Sequence, residues 1–341
     1  MNQNMTDKKK DRPFVFVRCM TYNHEKYIED ALKGFVMQKT DFQFVVAVVD
    51  DASTDDNASV IADYLQRVCD TDAIRPKIEE YGKVIDATPS DNPNCLLHVV
   101  LLNENHYRKK SKRPYYIQFE EKAKYIATCE GDDYWTDPCK LQKQVDFLES
   151  HPDYSMCCHG ADVLNETLRK VDCACEHMTT REYFPDDAFP TWQIPTASIV
   201  YKKNEVDTYT LKNADSFMAG DVVLILKCMH VGRVWGMSEH MSVYRMNQGG
   251  ATSQSLDMNG QLRLCRHYQA LIQNFPKINT DYCHRYIAMT HYTNFRQSKK
   301  FIIKIMSLWM AIKNKPSYVI RKLLKINVSP RNDLFYQYYG Q

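Results

Sequence analysis

The chain has 341 residues, which is enough for one large domain or two smaller ones. Its 44 basic and 42 acidic residues nearly cancel, which argues against wholesale binding of nucleic acid. Residues 1–12 lack the apolar core of a secretory signal and are predicted to be disordered, and no stretch approaches the roughly 20 apolar residues of a spanning helix. Twelve cysteines without a signal sequence predict free thiols in a reducing, cytoplasmic compartment.

The first half of the chain alternates between strand and helix patterns. Apolar, β-branched runs predict strands, and apolar residues at helical spacing predict helices. The strands are predicted at 14–19, 44–49, 96–102, 125–129 and 154–161, and the helices at 25–37, 55–68, 115–124 and 137–150. Residues 70–95 have weak periodicity and are predicted to be a long loop or a local insertion. This order indicates an α/β fold, a mostly parallel sheet with helices on both faces.

The second half is less regular. Residues 172–196 show no clear pattern, a helix is predicted at 219–231, and a strand is predicted at 241–246. From residue 256 the chain is mostly helical. We therefore expect a sheet domain at 13–255 and a helical C-terminal extension at 256–341.

Carboxylates follow two of the predicted parallel strands. Asp50 and Asp51 follow the second strand, and Glu130, Asp132 and Asp133 follow the fourth. Carboxylates this close repel and raise one another's pKa, so they indicate either a solvated acidic turn or a bound cation. Ligands of open α/β sheets bind outside the carboxyl ends of the strands. Two carboxylate sets there suit a nucleotide sugar whose diphosphate is bound to Mg²⁺ or Mn²⁺.

A group of cysteines and histidines is a second candidate metal site. Its members are Cys157, Cys158, His159, Cys173, Cys175 and His177. The group contains no C-x-x-C knuckle, so buried free thiols are the favoured interpretation and zinc is the alternative.

Four stretches together resemble the family-2 glycosyltransferases, which have a GT-A fold, and in particular the bacterial polysaccharide-biosynthesis members. They are FVFVRCMTYNHEKYIEDALKGFVMQ, VVAVVDDASTDD, YIATCEGDDYWTDPCKLQKQVDFLE and FMAGDVVLILKCMHVGRVWGMSEHMSVYRMNQGGATS. The resemblance implies an inverting enzyme that moves a sugar from a nucleoside-diphosphate sugar to a hydroxyl of a saccharide or lipid-linked saccharide acceptor, in surface polysaccharide synthesis. It also implies a divalent metal, Mn²⁺ or Mg²⁺.

The resemblance also implies functions for individual residues. The residues at nucleoside-binding positions are Tyr22, Asp50 and Asp51. EGDD stands where the family carries its D-x-D motif, so Asp132 is the first candidate metal ligand and Asp133 the second. Glu130 occupies the first position of the motif and is expected on the ribose or on a metal-bound water.

Asp221, in AGDVVL, stands at the position of the family's catalytic base, and a helix N-cap is the alternative. Asn247 stands where many members have a metal-binding histidine, so its amide oxygen is a candidate, weaker ligand. Arg245 is a candidate for holding phosphate. A basic loop is a further candidate for phosphate, with a solvated turn as the alternative; it contains Arg108, Lys109, Lys110, Lys112 and Arg113.

Two other classes of protein compete with this interpretation. A non-catalytic nucleotide-sugar binding protein would not need Asp221, although Asn247 leaves that class open. A nucleotidyltransferase would carry a glycine- and basic-rich phosphate loop near the first strand, where this chain reads CMTYNHEKY.

Residues 299–325 form a basic, apolar segment with eight lysines and arginines and no acidic residue. The apolar residues that fall near one helical face are Phe301, Ile302, Ile305, Trp309 and Ile312. A helix of this kind can lie in a membrane interface, and the alternative is a helix packed on the protein with its lysines in water. Because the resembling enzymes often glycosylate lipid-linked acceptors, we expect a cytoplasmic enzyme with peripheral contact at the inner face of the membrane through 299–325.

Overall fold

The computed structural model describes residues 14–107, 114–166, 173–247 and 257–324. The predicted disorder at 1–12, the basic loop at 108–113 and the predicted domain boundary at 255 lie outside these residues. The strands are β1 (Val15–Thr21), β2 (Phe44–Asp50), β3 (Arg75–Glu79), β4 (Gly82–Ala87), β5 (Cys95–Leu102), β6 (Tyr125–Thr128), β7 (Tyr134–Trp135), β8 (Tyr154–Asn165), β9 (Arg181–Tyr183), β10 (Val200–Lys202) and β11 (Arg233–Met246). The helices are α1 (Ile28–Val36), α2 (Asn57–Val68), α3 (Ile117–Glu120), α4 (Lys140–Ser150), α5 (Pro185–Ala188), α6 (Lys203–Asp207), α7 (Gly220–Val231), α8 (Met258–Asn274), α9 (Thr280–Gln297), α10 (Phe301–Asn314) and α11 (Pro316–Leu323).

One mixed sheet contains all the strands of the described residues. Its order is β3-β4-β5-β2-β1-β6-β10-β8-β11-β7, and β9 pairs with β11. The strands β5, β2, β1 and β6 run parallel to one another, and β10 enters antiparallel between β6 and β8. Helices cover both faces of the sheet. The predicted α/β fold is confirmed, and a second parallel pair joins β8 to β11.

Of the two alternatives for 70–95, a long loop or a local insertion, the long loop is wrong, because this stretch contains the antiparallel hairpin β3–β4 on the edge of the sheet. Four of the five β3 residues are exposed, so the strand carries no apolar alternation that the sequence could reveal. At Gly82 the φ is 152°, and a Cβ there would lie 2.0 Å from the carbonyl oxygen of Leu101. Glycine therefore lets the hairpin approach β5.

Helix α1 packs its apolar face, Ile28, Leu32 and Phe35, into the core around the fully buried strand β2. The rings of Phe35 and Trp135 meet edge to face with centroids 4.9 Å apart. A Cβ at Gly34 would lie 2.8 Å from the backbone nitrogen of Trp135. This close approach ties α1 to the segment that follows the acidic turn.

Lys140, the first residue of α4, is a fully buried lysine. Its Nζ lies 4.0 Å from the ring centroid of Trp135 and has no hydrogen-bond partner among the described residues. Burial lowers the pKa of Lys140 to about 7, and the nearby thiols of Cys129 and Cys157 oppose this only weakly. The site therefore stabilises the neutral amine over the ammonium.

The chain divides into two compact units. The sheet unit contains the chain up to Tyr183, Gln193–Thr208 and Val231–Met246; the helical unit contains Phe184–Trp192, Tyr209–His230 and the chain from Asn247 onward. Within the helical unit the Phe189 ring packs against the rings of Tyr268 and Tyr282, with centroids 5.4 and 5.6 Å away. None of the described helices is long and apolar enough to cross a bilayer.

Candidate functional site

The candidate site lies in the sheet unit, where three neighbouring parallel strands end. Thr21 at the end of β1 is in register with Asp50 at the end of β2, and Arg18 of β1 is in register with Thr128 of β6. The turns that follow these strands therefore meet at one edge of the sheet. They contain TYNHE, DDAS and CEGDD, the segments that the sequence singled out.

Asp50 is bound internally. One of its carboxylate oxygens accepts a hydrogen bond from the backbone N–H of Ser53 at 2.8 Å, and the other accepts from the Asn57 side-chain amide at 3.1 Å. The hydroxyl of Thr21 donates to the amide oxygen of Asn57 at 3.3 Å. With 2% of its surface exposed, Asp50 braces the ends of β1 and β2, and its predicted contact with a nucleoside stays a prediction.

Asp51 is also buried, with 6% of its surface exposed, but one of its carboxylate oxygens is left unbonded within the described part of the chain. Its Oδ1 accepts from the backbone N–H of His106 at 2.6 Å, and its second oxygen has no hydrogen-bond partner among the described residues. Tyr22 follows β1 directly and is 45% exposed. This edge thus offers a fixed carboxylate acceptor and an aromatic face, which suit the N–H group and the ring of a nucleobase.

Gly131 sets the course of the EGDD turn. Its N–H donates to the carbonyl of Met20 at 2.9 Å, so the turn lies directly on the end of β1. A Cβ at residue 131 would lie 2.7 Å from the side chain of Thr21 and 3.1 Å from Nδ1 of His24. Only glycine fits this approach, and it brings the Asp132 carboxylate to 3.8 Å from Nε2 of His24.

Asp133 is turned into the protein and is 3% exposed. Its Oδ1 accepts from the backbone N–H of Arg245 at 2.8 Å. Burial, and then the nearby carboxylates of Asp132 and Glu130, raise the pKa of Asp133 well above its ordinary range. Its contacts attach the acidic turn to β11, which leaves Asp132 as the better candidate for an external ligand.

Arg245 has contacts different from the predicted contact with phosphate. Its guanidinium, 5% exposed, donates to the carbonyl of Asp132 at 2.7 Å and to the carboxylate of Asp30 at 2.9 Å. The rings of Tyr27 and Tyr134 lie 4.7 and 4.9 Å from its Cζ. The cation is therefore enclosed by aromatic faces and carboxylates, and it stabilises the acidic turn from behind.

His24 is a site residue that the sequence analysis missed. Its Nδ1 is buried and has no hydrogen-bond partner among the described residues. Burial lowers the pKa of the imidazole, and the Asp132 carboxylate opposes this shift only in part. A neutral histidine at the end of β1 can donate or accept a hydrogen bond. Its place in TYNHE, three residues after the end of β1, was the only signal.

The acidic turn suits a hard divalent cation. Burial, and then the nearby Glu130, Asp132 and Asp133, raise the pKa of the Cys19 thiol in β1. Among the described residues, no three His, Cys, Asp or Glu side chains are arranged to hold a metal. Mg²⁺ is commonly held by one or two carboxylates together with substrate phosphates and water, so this site fits an ion that arrives with a diphosphate.

The cysteines of the cysteine and histidine group belong to the sheet unit. Cys157 and Cys158 are neighbours on β8, whereas the sulfurs of Cys173 and Cys175 lie 2.9 Å apart. All four thiols are buried, and all twelve cysteines are free. Buried free thiols behave as small hydrophobic side chains.

Asp221 belongs to the helical unit and lies in the first turn of α7, one residue after the helix begins at Gly220. Its Oδ2 accepts from the indole N–H of Trp192 at 3.1 Å, and its other oxygen has no hydrogen-bond partner among the described residues. The carboxylate is thus held on one side and open on the other. Asn247 also belongs to the helical unit and is partly buried, and its predicted binding of metal stays a prediction.

No protein-family model matches the chain. Over 232 residues, 68% of this chain, it is 31% identical to the uncharacterized proteins Mb1547 of Mycobacterium bovis and Rv1520 of Mycobacterium tuberculosis. The chain spans 58% of the length of these relatives.

The structure is similar to that of TarS from S. aureus. For TarS 1-349 in complex with UDP-GlcNAc the TM-score is 0.54 at 17% identity, and the match covers 90% of this chain and 83% of that one. For the complex with UDP the TM-score is 0.53 at 14% identity, with 96% and 87% covered. The chain thus has a GT-A fold, the fold of these glycosyltransferase structures.

Proposed function

We propose that the protein is an inverting glycosyltransferase of the family-2 type that uses a nucleoside-diphosphate sugar. The observation that carries the proposal is the strand-end edge of the sheet unit, where the open oxygen of Asp51 and the carboxylate of Asp132 are held on neighbouring turns. The likeness to TarS, which is solved with UDP-GlcNAc and with UDP, supports a donor of this chemical class.

The donor would be held in two parts. Tyr22 offers a ring for stacking on the base, and the open oxygen of Asp51 accepts a base N–H. Asp132 faces the diphosphate together with Mg²⁺ or Mn²⁺, which neutralises phosphate charge when bound. The neutral imidazole of His24 donates to a donor oxygen, and Glu130 accepts from the ribose hydroxyls.

The proposed reaction is a single displacement. An acceptor hydroxyl attacks the anomeric carbon from the face opposite the nucleotide, the new C–O bond forms as the bond to the diphosphate oxygen breaks, and the nucleoside diphosphate leaves. Asp221 takes the hydroxyl proton through the oxygen that Trp192 leaves open. We infer this base from the resemblance of AGDVVL to the family's segment and from that open oxygen.

The proposed acceptor is a hydroxyl of a saccharide or lipid-linked saccharide in surface polysaccharide synthesis, which rests on the family resemblance. The rival function, binding of a nucleotide sugar without turnover, predicts a different result in the same assays.

The test combines calorimetry and product detection. Purified protein is titrated with UDP, GDP and dTDP in Mn²⁺ and in EDTA, and release of nucleoside diphosphate from the corresponding sugars is then followed. We expect metal-dependent binding of one nucleotide and release of that nucleotide from its sugar. Tight binding with no release on any acceptor would support the binding protein, and equal affinity in EDTA would remove the metal from the proposal.

A matched pair of variants tests whether Asp51 at the strand-end edge contacts the nucleoside. Asp51→Asn removes the acceptor proposed for the base, whereas Asp153→Asn changes an exposed aspartate that pairs with Arg233 elsewhere in the sheet unit. We expect the first variant to lose affinity for the nucleotide and the second to bind like the parent. A loss in both would indicate a general effect of charge, not a nucleoside contact.

A further inference from the structure

Helix α10 buries small side chains and exposes large apolar ones, which is the reverse of a core helix. The side chains that it buries are the small residues Ser307 and Ala311, one turn apart, and the Asn294 amide of α9 donates to the Ser307 hydroxyl at 2.9 Å. Its large apolar side chains are exposed: Phe301, Ile302, Ile303, Ile305, Met306, Trp309 and Ile312. Phe301 is 74% exposed and Trp309 is 58% exposed.

Helix α11 continues this surface. It buries Val319, and the exposed residues that follow are Ile320, Leu323 and Leu324. Amphipathic helices of globular proteins normally bury the apolar side, and soluble proteins rarely expose apolar patches larger than a few hundred Å². The packing of α10 thus contradicts the alternative in which its apolar face packs on the protein. We therefore expect another molecule to cover this exposed apolar surface.

Charge identifies the class of that occupant. Between Tyr282 and Asn332 the sequence carries eleven of its 44 basic residues and none of its 42 acidic residues. In the described part, Lys299 and Lys300 are exposed before α10, and Lys313 follows its apolar face. The Lys313 ammonium lies 5.1 Å from the ring centroid of Trp309, so its stem lies over the apolar surface.

The same charges disfavour two other occupants. A second copy docked face to face would bring two such basic stretches together, which costs free energy through repulsion. The chain after residue 324 reads KINVSPRNDLFYQYYGQ; its two basic residues outnumber its one acidic residue, so its side chains supply no net negative charge. An anionic lipid surface supplies both the apolar volume and the negative charge.

We propose that residues 299–324 dock on an anionic bilayer, with the exposed apolar side chains of α10 and α11 among the acyl chains and the lysines at the phosphates. This surface lies within the helical unit. The proposal goes beyond glycosyl transfer and does not depend on it.

The test is flotation of the full-length protein with vesicles of phosphatidylcholine alone and of phosphatidylcholine mixed with phosphatidylglycerol. We expect flotation only with the anionic vesicles, falling as salt is raised. Brominated lipid should quench the fluorescence of Trp309. The part of the quenching that is due to Trp309 is the difference between the parent protein and the Trp309→Phe variant. Equal flotation with both vesicles, or no flotation with either, overturns the proposal.

Matched variants distinguish binding through this surface from nonspecific binding of the whole protein to lipid. The pair Lys299→Gln with Lys300→Gln should weaken binding about 30-fold, since each basic residue near an anionic surface contributes about fivefold. The control Lys83→Gln with Lys122→Gln removes two exposed lysines of the sheet unit and should bind normally. Equal losses in the two pairs overturn the proposal.

The apolar part is tested by Ile305→Ser with Trp309→Ser, against Ile78→Ser, an isoleucine that is 78% exposed on β3. All these positions are exposed, and circular dichroism checks that each variant folds. We expect loss of flotation in the first variant only. Self-association that Trp309→Ser abolishes, without lipid binding, would assign the face to a second copy. Flotation gained only on removal of residues 325–341 would assign it to that segment, and either result overturns the proposal.

Discussion

Replacing Lys140 with methionine should stabilise the protein at neutral pH. Methionine has a similar length, and at this position it removes an amine that is fully buried and has no hydrogen-bond partner among the described residues. Burial lowers the pKa of Lys140 from 10.5 to about 7. A change of that size corresponds to about 4 kcal/mol at pH 7, and contact of the charged form with the Trp135 ring returns about 1–2 kcal/mol. We therefore expect Lys140→Met to raise the free energy of unfolding by about 2–3 kcal/mol at pH 7.

The sign of the pH dependence follows from the lowered pKa. Between about pH 7 and pH 10 the unfolded chain holds a proton on Lys140 that the folded chain lacks, so the stability of the parent protein rises with pH. At pH 9.5 the cost of burying this group falls to about 1–2 kcal/mol. The advantage of the Lys140→Met variant should therefore shrink as pH rises.

Urea unfolding at pH 7 and pH 9.5 measures this difference. The control is Lys122→Met, which changes an exposed lysine of the same unit. The other titrating groups contribute to its pH dependence as they do in the parent protein. An advantage that is constant between the two pH values would mean that Lys140 keeps its proton in the folded protein. A variant less stable than the parent at pH 7 would mean that the contact of the ammonium with the Trp135 ring outweighs the cost of burial.

The other predictions concern the candidate site. Asp221→Asn should lower turnover by about 10²–10⁴-fold with donor affinity nearly unchanged. Near-normal turnover would mean that Asp221 only caps its helix and is not the base. Trp192→Phe should lower kcat and leave the donor KM unchanged, because it removes the hydrogen bond that orients the base; a change confined to KM would contradict this. Gly131→Ala should destabilise the protein by about 1–3 kcal/mol in thermal and urea unfolding, whereas Gly220→Ala, whose Cβ would meet nothing within 4 Å, should not. EDTA should abolish binding of the nucleoside diphosphate in calorimetry, and unchanged affinity would refute the metal assignment.

The elements that the sequence predicts best are those whose burial is continuous or periodic. Strand β2 is buried at every position, and its apolar run predicted it to within one residue. The edge strand β3 was missed because an exposed strand depends on backbone pairing, which leaves no hydrophobic pattern. Strand β11 was predicted only for its last six residues, since its earlier part is mostly exposed or partly exposed and is irregular in register.

At the candidate site, residue type predicted location better than it predicted contacts. The sequence placed Asp50, Asp51 and Asp132 at strand ends, and parallel pairing does bring these ends together. It could not show that Asp50 is used up by Ser53 and Asn57, because those bonds depend on the course of the loop after β2. Two acidic neighbours can look alike in a sequence while one is an internal brace and the other is open.

The same limit applies to charges that sit behind the site. The enclosure of Arg245 between two tyrosines depends on contacts between segments far apart in the chain, so the sequence could not show it, and the predicted contact of Arg245 with phosphate stays a prediction. His24 lacked any charge pattern that would single it out. Its burial follows from the approach of Gly131 to the end of β1, which no local pattern encodes.

The division of the chain between the two units has a consequence for biosynthesis. Strand β11 ends at Met246, so a ribosome has already made every strand of the described residues before it makes the helices from α8 onward. By then Phe184–Trp192 and Tyr209–His230 have been made, but the rest of the helical unit, from Asn247 onward, has not. Phe189 must wait for Tyr268, a delay on the order of ten seconds at ordinary rates of translation. A fragment that stopped at Met246 would lack Tyr268 and Tyr282 and would leave Phe189 without the rings against which it packs.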